Sequence, residues 1–123
     1  MNENLYPKEL ISNLKEILKK DTNNAEIIYQ QSYQNVYLKT DDINVKLMLR
    51  FIKPHKKIII ARIDLQQKRK GHLTAILNCL KKIEGYEVIE FECVLTDEML
   101  QFCKKNEFEQ VPNVPFNYAK RFK

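Results

Sequence analysis

Leu10, Ile11, Leu14, Ile17 and Leu18 recur at helical spacing and predict an amphipathic helix over residues 7–20. Pro7 suits the first turn, where its missing N–H costs nothing, and Lys19-Lys20 suit the negative end of the helix dipole. Asp21-Thr22-Asn23-Asn24 then breaks the period. Residues 26–39 are rich in Ile, Tyr and Val around a central Gln31-Ser32, and read as one bent strand or two short ones. Residues 44–52 alternate, with Val45, Leu47, Leu49 and Phe51 on one side and Lys46 and Arg50 on the other. Pro54-His55-Lys56 predicts a turn.

The most hydrophobic strand is 57–65, where Ile58-Ile59-Ile60 is unbroken, the mark of a central strand covered on both faces. A polar loop, Gln66-Gln67-Lys68-Arg69-Lys70-Gly71, follows it. In 72–83, Leu73, Ile76, Leu77, Leu80 and Ile83 fall on one face of a second helix. Residues 87–95 read as a strand with Ile89, Phe91, Cys93 and Leu95 inward and Glu90 and Glu92 outward. Thr96 is a good N-cap for a helix ending near Asn106, with Asp97 and Glu98 in its first turn. The tail, 109–123, holds Pro112 and Pro115 and reads as loop or a final edge strand.

At 123 residues the chain forms one domain, and two glycines and four prolines argue for regular helix and strand. Three separated cysteines, Cys79, Cys93 and Cys103, argue against a disulfide framework or a zinc site. Neither a signal-peptide run nor a membrane span is expected, and the cytoplasm is the natural compartment. Charge changes the picture more. Residues 51–72 carry seven basic side chains against one acidic, whereas 1–50 balance and 73–110 are acidic. That basic segment would attract a polyanion, the phosphates of either a cofactor or a nucleic acid.

The loop at 66–71 lies between a hydrophobic strand and a helix start. There unpaired N–H groups and a partial positive charge favour phosphate, Gly71 permits close approach, and Lys68, Arg69 and Lys70 add charge. The arrangement resembles the GNAT-type (acetyl-coenzyme A dependent) N-acetyltransferases, whose loop reads Q/R-x-x-G-x-G/A: Gln66 takes the first place and Gly71 the last. A second stretch, Phe102-Cys103-Lys104-Lys105-Asn106-Glu107-Phe108, is similar to that family's F-Y-x-K-x-G-F. The likeness centres on 57–108 and covers about half the chain. Arg69 and Glu107 stand where the patterns have glycine, and Cys103 where they have tyrosine; a one-residue insertion would put Phe102 there instead.

The resemblance implies an α/β (α+β) fold over 1–123, a mixed, mostly antiparallel sheet flanked by helices, with strands that splay after about Leu65. It implies acetyl-coenzyme A as cosubstrate, held by Ile63, Leu65, Gln66, Lys68, Arg69, Lys70, Gly71, His72, Leu73 and Thr74. A small-molecule or peptide amine would be the acceptor, a backbone N–H near Ile63 or Leu65 would polarise the thioester, and Cys103 would be the general acid. From the residues alone, Cys79, Cys93 and Cys103 each also suit a core. The rival reading is a binding module that has lost transfer and uses the basic segment for nucleic acid or protein. Residues 53–72 lack the interleaved aromatics that stack on bases, so nucleic acid is the less favoured partner.

Overall fold

Pro7 holds an extended ψ of 152°, and the chain turns helical one residue later as α1, Lys8–Asp21. A computed structural model describes residues 5–67 and 70–123. Leu10, Leu14 and Leu18 of α1 are 3%, 0% and 0% exposed, as the stripe requires. Burying each leucine contributes roughly 1.5–3 kcal/mol. Residues 26–39 form two strands, β1 (Ile28–Ser32) and β2 (Asn35–Lys39), paired as a hairpin that turns at Tyr33 with φ 55°. β3 is Lys46–Ile52, and a 3-10 turn over Lys53–His55 leads to β4, Lys57–Asp64. Then come α2 (His72–Lys81), β5 (Val88–Phe91), α3 (Asp97–Lys105), β6 (Glu109–Val111) and β7 (Val114–Arg121).

Among the described residues the seven strands form one sheet in the order β1-β2-β3-β4-β5-β7-β6. β4 and β5 are parallel and the other neighbours antiparallel, so the chain is a single small α+β domain with a mixed, mostly antiparallel sheet. Cross-strand partners share a face. Register therefore puts Val36, Leu38, Leu47, Leu49, Phe51, Ile58, Ile60, Ile89 and Phe91 together, all at most 1% exposed. The helical segments pack on that face: Tyr6 and Tyr86 against Phe51, Phe102 and Phe108 edge-on to Phe91. The opposite face carries Asn35, Arg50, Lys57, Arg62, Glu90 and Glu92, tied by Arg50–Glu92 at 3.0 Å and Lys57–Glu90 at 3.1 Å. Ile59, between Arg50 and Glu90 on that polar face, is still only 7% exposed. No helix among the described residues is long and apolar enough to cross a membrane.

Three expectations fail. The strand expected over 87–95 stops at Phe91, because Cys93 takes φ 54° and reverses the alternation. Cys93 and Leu95 (69% exposed) then face solvent while Val94 (7%) turns inward. Glu90, expected on a solvated face, is 6% exposed, with Lys57 Nζ and Asn117 Nδ2 donating to its carboxylate at 3.1 and 2.7 Å. The tail is a hairpin rather than a loop or lone edge strand: Asn113 at φ 65° turns it, and β7 lies inside the sheet between β5 and β6.

Candidate functional site at the end of the fourth strand

β4 loses its β5 neighbour halfway along. The two pair over residues 57–60, and the Glu92 N–H still donates to the Ile60 carbonyl at 3.1 Å. The turn at Cys93 then takes the chain away, so that the Val94 N–H donates to the Phe116 carbonyl at 2.7 Å. β4 continues beside β3 to Asp64, accommodating Ala61 as an extra residue opposite the Met48/Leu49 step. Among the described residues no strand pairs with 61–64 on the β5 side. The strands thus part after Ile60, earlier than the Leu65 that the resemblance implies. The Phe51 N–H donates toward β2, to Gln34. Alternation along β3 and β4 then turns the Ile63 N–H and C=O into the opening.

The chain leaves β4 through half-buried Leu65 and enters a loop fastened from below. Asp21, the last residue of α1, is 0% exposed. Its Oδ2 accepts from the Gln66 N–H at 2.6 Å and its Oδ1 from the Gln67 N–H at 2.8 Å. His72 Nδ1 also lies 3.0 Å from Oδ1. Gln67 Nε2 donates to the backbone carbonyls of Lys20 and Asp21, each at 3.0 Å. The Gln66 and Gln67 amides therefore serve an internal carboxylate, so the Gln66 N–H cannot also serve a bound phosphate. Lys68 and Arg69 lie outside the described residues.

Donors remain at the start of α2. Gly71 is its N-cap at φ 80°, with no side-chain cap among the described residues. The Ala75 N–H makes the first helical bond, to the Gly71 carbonyl at 3.0 Å. That leaves the N–H groups of His72, Leu73 and Thr74 without helical acceptors. Gly71, Lys70 and Thr74 are exposed, His72 is half-buried, and Leu73 is partly buried against the core. The exposed Lys19 and Lys20 end α1 beside this loop, since Gln67 bonds the Lys20 carbonyl. The sequence suggested these lysines only as dipole partners; the fold adds them to the basic loop.

Cys103 is 0% exposed and belongs to the core cluster, and burial pushes its thiol up to about 11. A general acid must reach the departing sulfur, and an enclosed thiol on the packed side of α3 does not. Its role is packing. Another group of polar residues lies at the far end of β4, where Lys57 pairs with Val88. There an open groove of about 470 Å³ is lined by His55, Lys57, Glu90, Glu109 and Pro112 among others. It is remote in register from the loop, and its most buried charge, Glu90, is already paired. Comparison with protein-family models and with curated proteins finds no match to this chain.

Proposed function

We propose that the chain is an acetyl-coenzyme A dependent N-acetyltransferase acting on an amine by direct transfer. The observation that carries the reading is the coincidence of two features at one end of β4. The strand pair opens there with the Ile63 peptide unpaired by β5, and the next element is a helix whose first N–H groups have no helical acceptor, beside Gly71 and a set of lysines. Residues that suit the coenzyme are Lys70, Gly71, His72, Leu73 and Thr74 around its phosphates, and Ile63 and Leu65 along the pantetheine arm. Lys68 and Arg69 belong to the same loop in sequence and add positive charge.

In this reading the acceptor nitrogen attacks the thioester carbonyl carbon while the Ile63 N–H donates to its oxygen. The new C–N bond forms, the C–S bond breaks, and coenzyme A leaves as its thiol. Glu92 stands where the strands part, its Oε2 held 3.0 Å from Arg50 Nη1, and takes the proton of the amine through water. Because Cys103 is enclosed, the leaving sulfur takes its proton from solvent. Transfer without a positioned acid is expected to be slow.

The test is calorimetry and thermal unfolding with acetyl-coenzyme A, desulfo-coenzyme A and a short duplex. Acetyl-coenzyme A at a hundredfold excess over its dissociation constant should add about 2.7 kcal/mol of stability. No shift at millimolar ligand would sink the reading. One observation favours the second reading, a coenzyme-binding module without transfer: the residue in the tyrosine position is a buried thiol. Binding with no acetylation of any amine tested would select it.

A further inference from the structure

Asp21 is a carboxylate at the negative end of its own helix, where a cation is the favourable charge, and it is fully enclosed. Both penalties are met by the donors around it. Two consecutive backbone amides, Gln66 and Gln67, and the ring of His72 converge on its two oxygens within 3.0 Å. This is the geometry with which a loop and a helix start receive a phosphate, except that the anion comes from the protein itself. The same segment is sewn to the end of α1 by Gln67 Nε2, which bridges two backbone carbonyls. The loop is thus held at both ends, at Gln66-Gln67 leaving β4 and at His72 entering α2, by one side chain 45 to 51 residues away.

We propose that Asp21 is the positioning residue of the coenzyme loop. It takes up the first loop amides, fixes His72, and so sets the first N–H groups of α2 and the Gly71 backbone at the open end of β4. The pyrophosphate is then received at Gly71 and the start of α2, and not by the Gln66 and Gln67 amides. The proposal rests on the coenzyme reading above, and it concerns a residue that touches neither coenzyme nor acceptor.

Backbone amide exchange and calorimetry on the wild type, Asp21→Asn and Leu14→Ala separate the outcomes, with coenzyme A and pantetheine as probes. Asp21→Asn keeps the shape but puts an NH₂ against donors. It should speed exchange at Gln66 and Gln67 at least tenfold and weaken coenzyme A at least tenfold. Pantetheine, which lacks the pyrophosphate, should change less than twofold. Leu14→Ala destabilises α1 from the core side and should leave both exchange at those amides and coenzyme affinity near wild type. Asp21→Asn with unchanged coenzyme affinity, or with unchanged exchange at Gln66 and Gln67, overturns the proposal alone. A wild type that binds no coenzyme A overturns the coenzyme reading and the proposal with it. Should Asp21→Asn not fold, Gln67→Ala, which removes the two side-chain stitches, must weaken coenzyme A at least threefold, and unchanged affinity there overturns the proposal as well.

Discussion

Burial holds the Cys103 thiol up to about 11 from an ordinary 9.0, and this makes its packed role measurable without any substrate. The side chain has no exposure, so the thiolate, not the thiol, is penalised in the folded state. A folded-state value above the unfolded one means that the contribution is fully present below about pH 9 and is lost as pH rises through about 11. A difference of about two units corresponds to roughly 2–3 kcal/mol. Lysines and tyrosines titrate in the same range, so the comparison is with Cys103→Ala. Urea unfolding at intervals from pH 8 to 11 should show the wild type losing about 2–3 kcal/mol more than the variant across that span. Cys103→Ala also loses packing at every pH, which offsets its curve without changing the slope. The same enclosure predicts that a thiol reagent modifies exposed Cys93 first and Cys103 only on unfolding. Parallel stability curves, or native-state labelling of Cys103 at the rate of Cys93, would refute the argument and restore the thiol as a reachable acid.

Among the described residues nothing lies within contact of a Cβ built at Gly71, but its φ is 80°, so replacements should cost backbone strain. Gly71→Asn should cost least, Gly71→Ala about 1–2 kcal/mol and Gly71→Val more, by thermal unfolding; the valine variant should also weaken coenzyme A. Leu77, 2% exposed in α2, should cost about 2–5 kcal/mol as Leu77→Ala with coenzyme affinity of the folded protein unchanged, read by urea unfolding and calorimetry.

Periodicity carried far where the backbone stayed regular. The stripes of α1 and α2 and the inward set Val45, Leu47, Leu49 and Phe51 were legible because each run keeps one period from end to end, and all four of those residues, Val45 just ahead of β3 and the rest within it, are 0% exposed. The pattern misled where a non-glycine residue takes a left-handed conformation, which composition does not announce. Cys93 at φ 54° turns an apparent strand into a divergence and so opens the seam beside β4. The loop at 66–71 was visible as a basic stretch before a helix, but its anchor was not. Asp21 read only as a helix breaker, although a carboxylate in a last turn otherwise ending in Lys19-Lys20 is a readable anomaly. What no local pattern supplies is the partner, since Gln66 lies 45 residues on. The terminal hairpin was obscured by its two prolines, while Asn113, the residue that makes the turn, is an ordinary turn former.

Glu107 offers a physical test of the second likeness. It follows α3 at φ 65°, where the pattern that the sequence resembles has glycine, and its N–H donates to the Lys104 carbonyl at 3.1 Å. A left-handed backbone explains glycine at such a helix end, because any Cβ there costs about 1–2 kcal/mol. Glu107→Gly should relieve that strain and lose about 0.5–1 kcal/mol of the gain through the greater freedom of glycine in the unfolded chain. The ion pair lost with the side chain, to Lys120 at 3.7 Å, is 84% exposed on the glutamate side and contributes little. Glu107→Ala loses the same ion pair but keeps the Cβ, so the glycine–alanine difference isolates the backbone. Glu107→Gly should be more stable than Glu107→Ala by up to about 1 kcal/mol in urea unfolding. An alanine variant more stable than the glycine one by about 0.5–1 kcal/mol, the full entropy difference, would mean that the position carries no left-handed strain. The correspondence between Glu107 and the glycine of the pattern would then be one of letters alone.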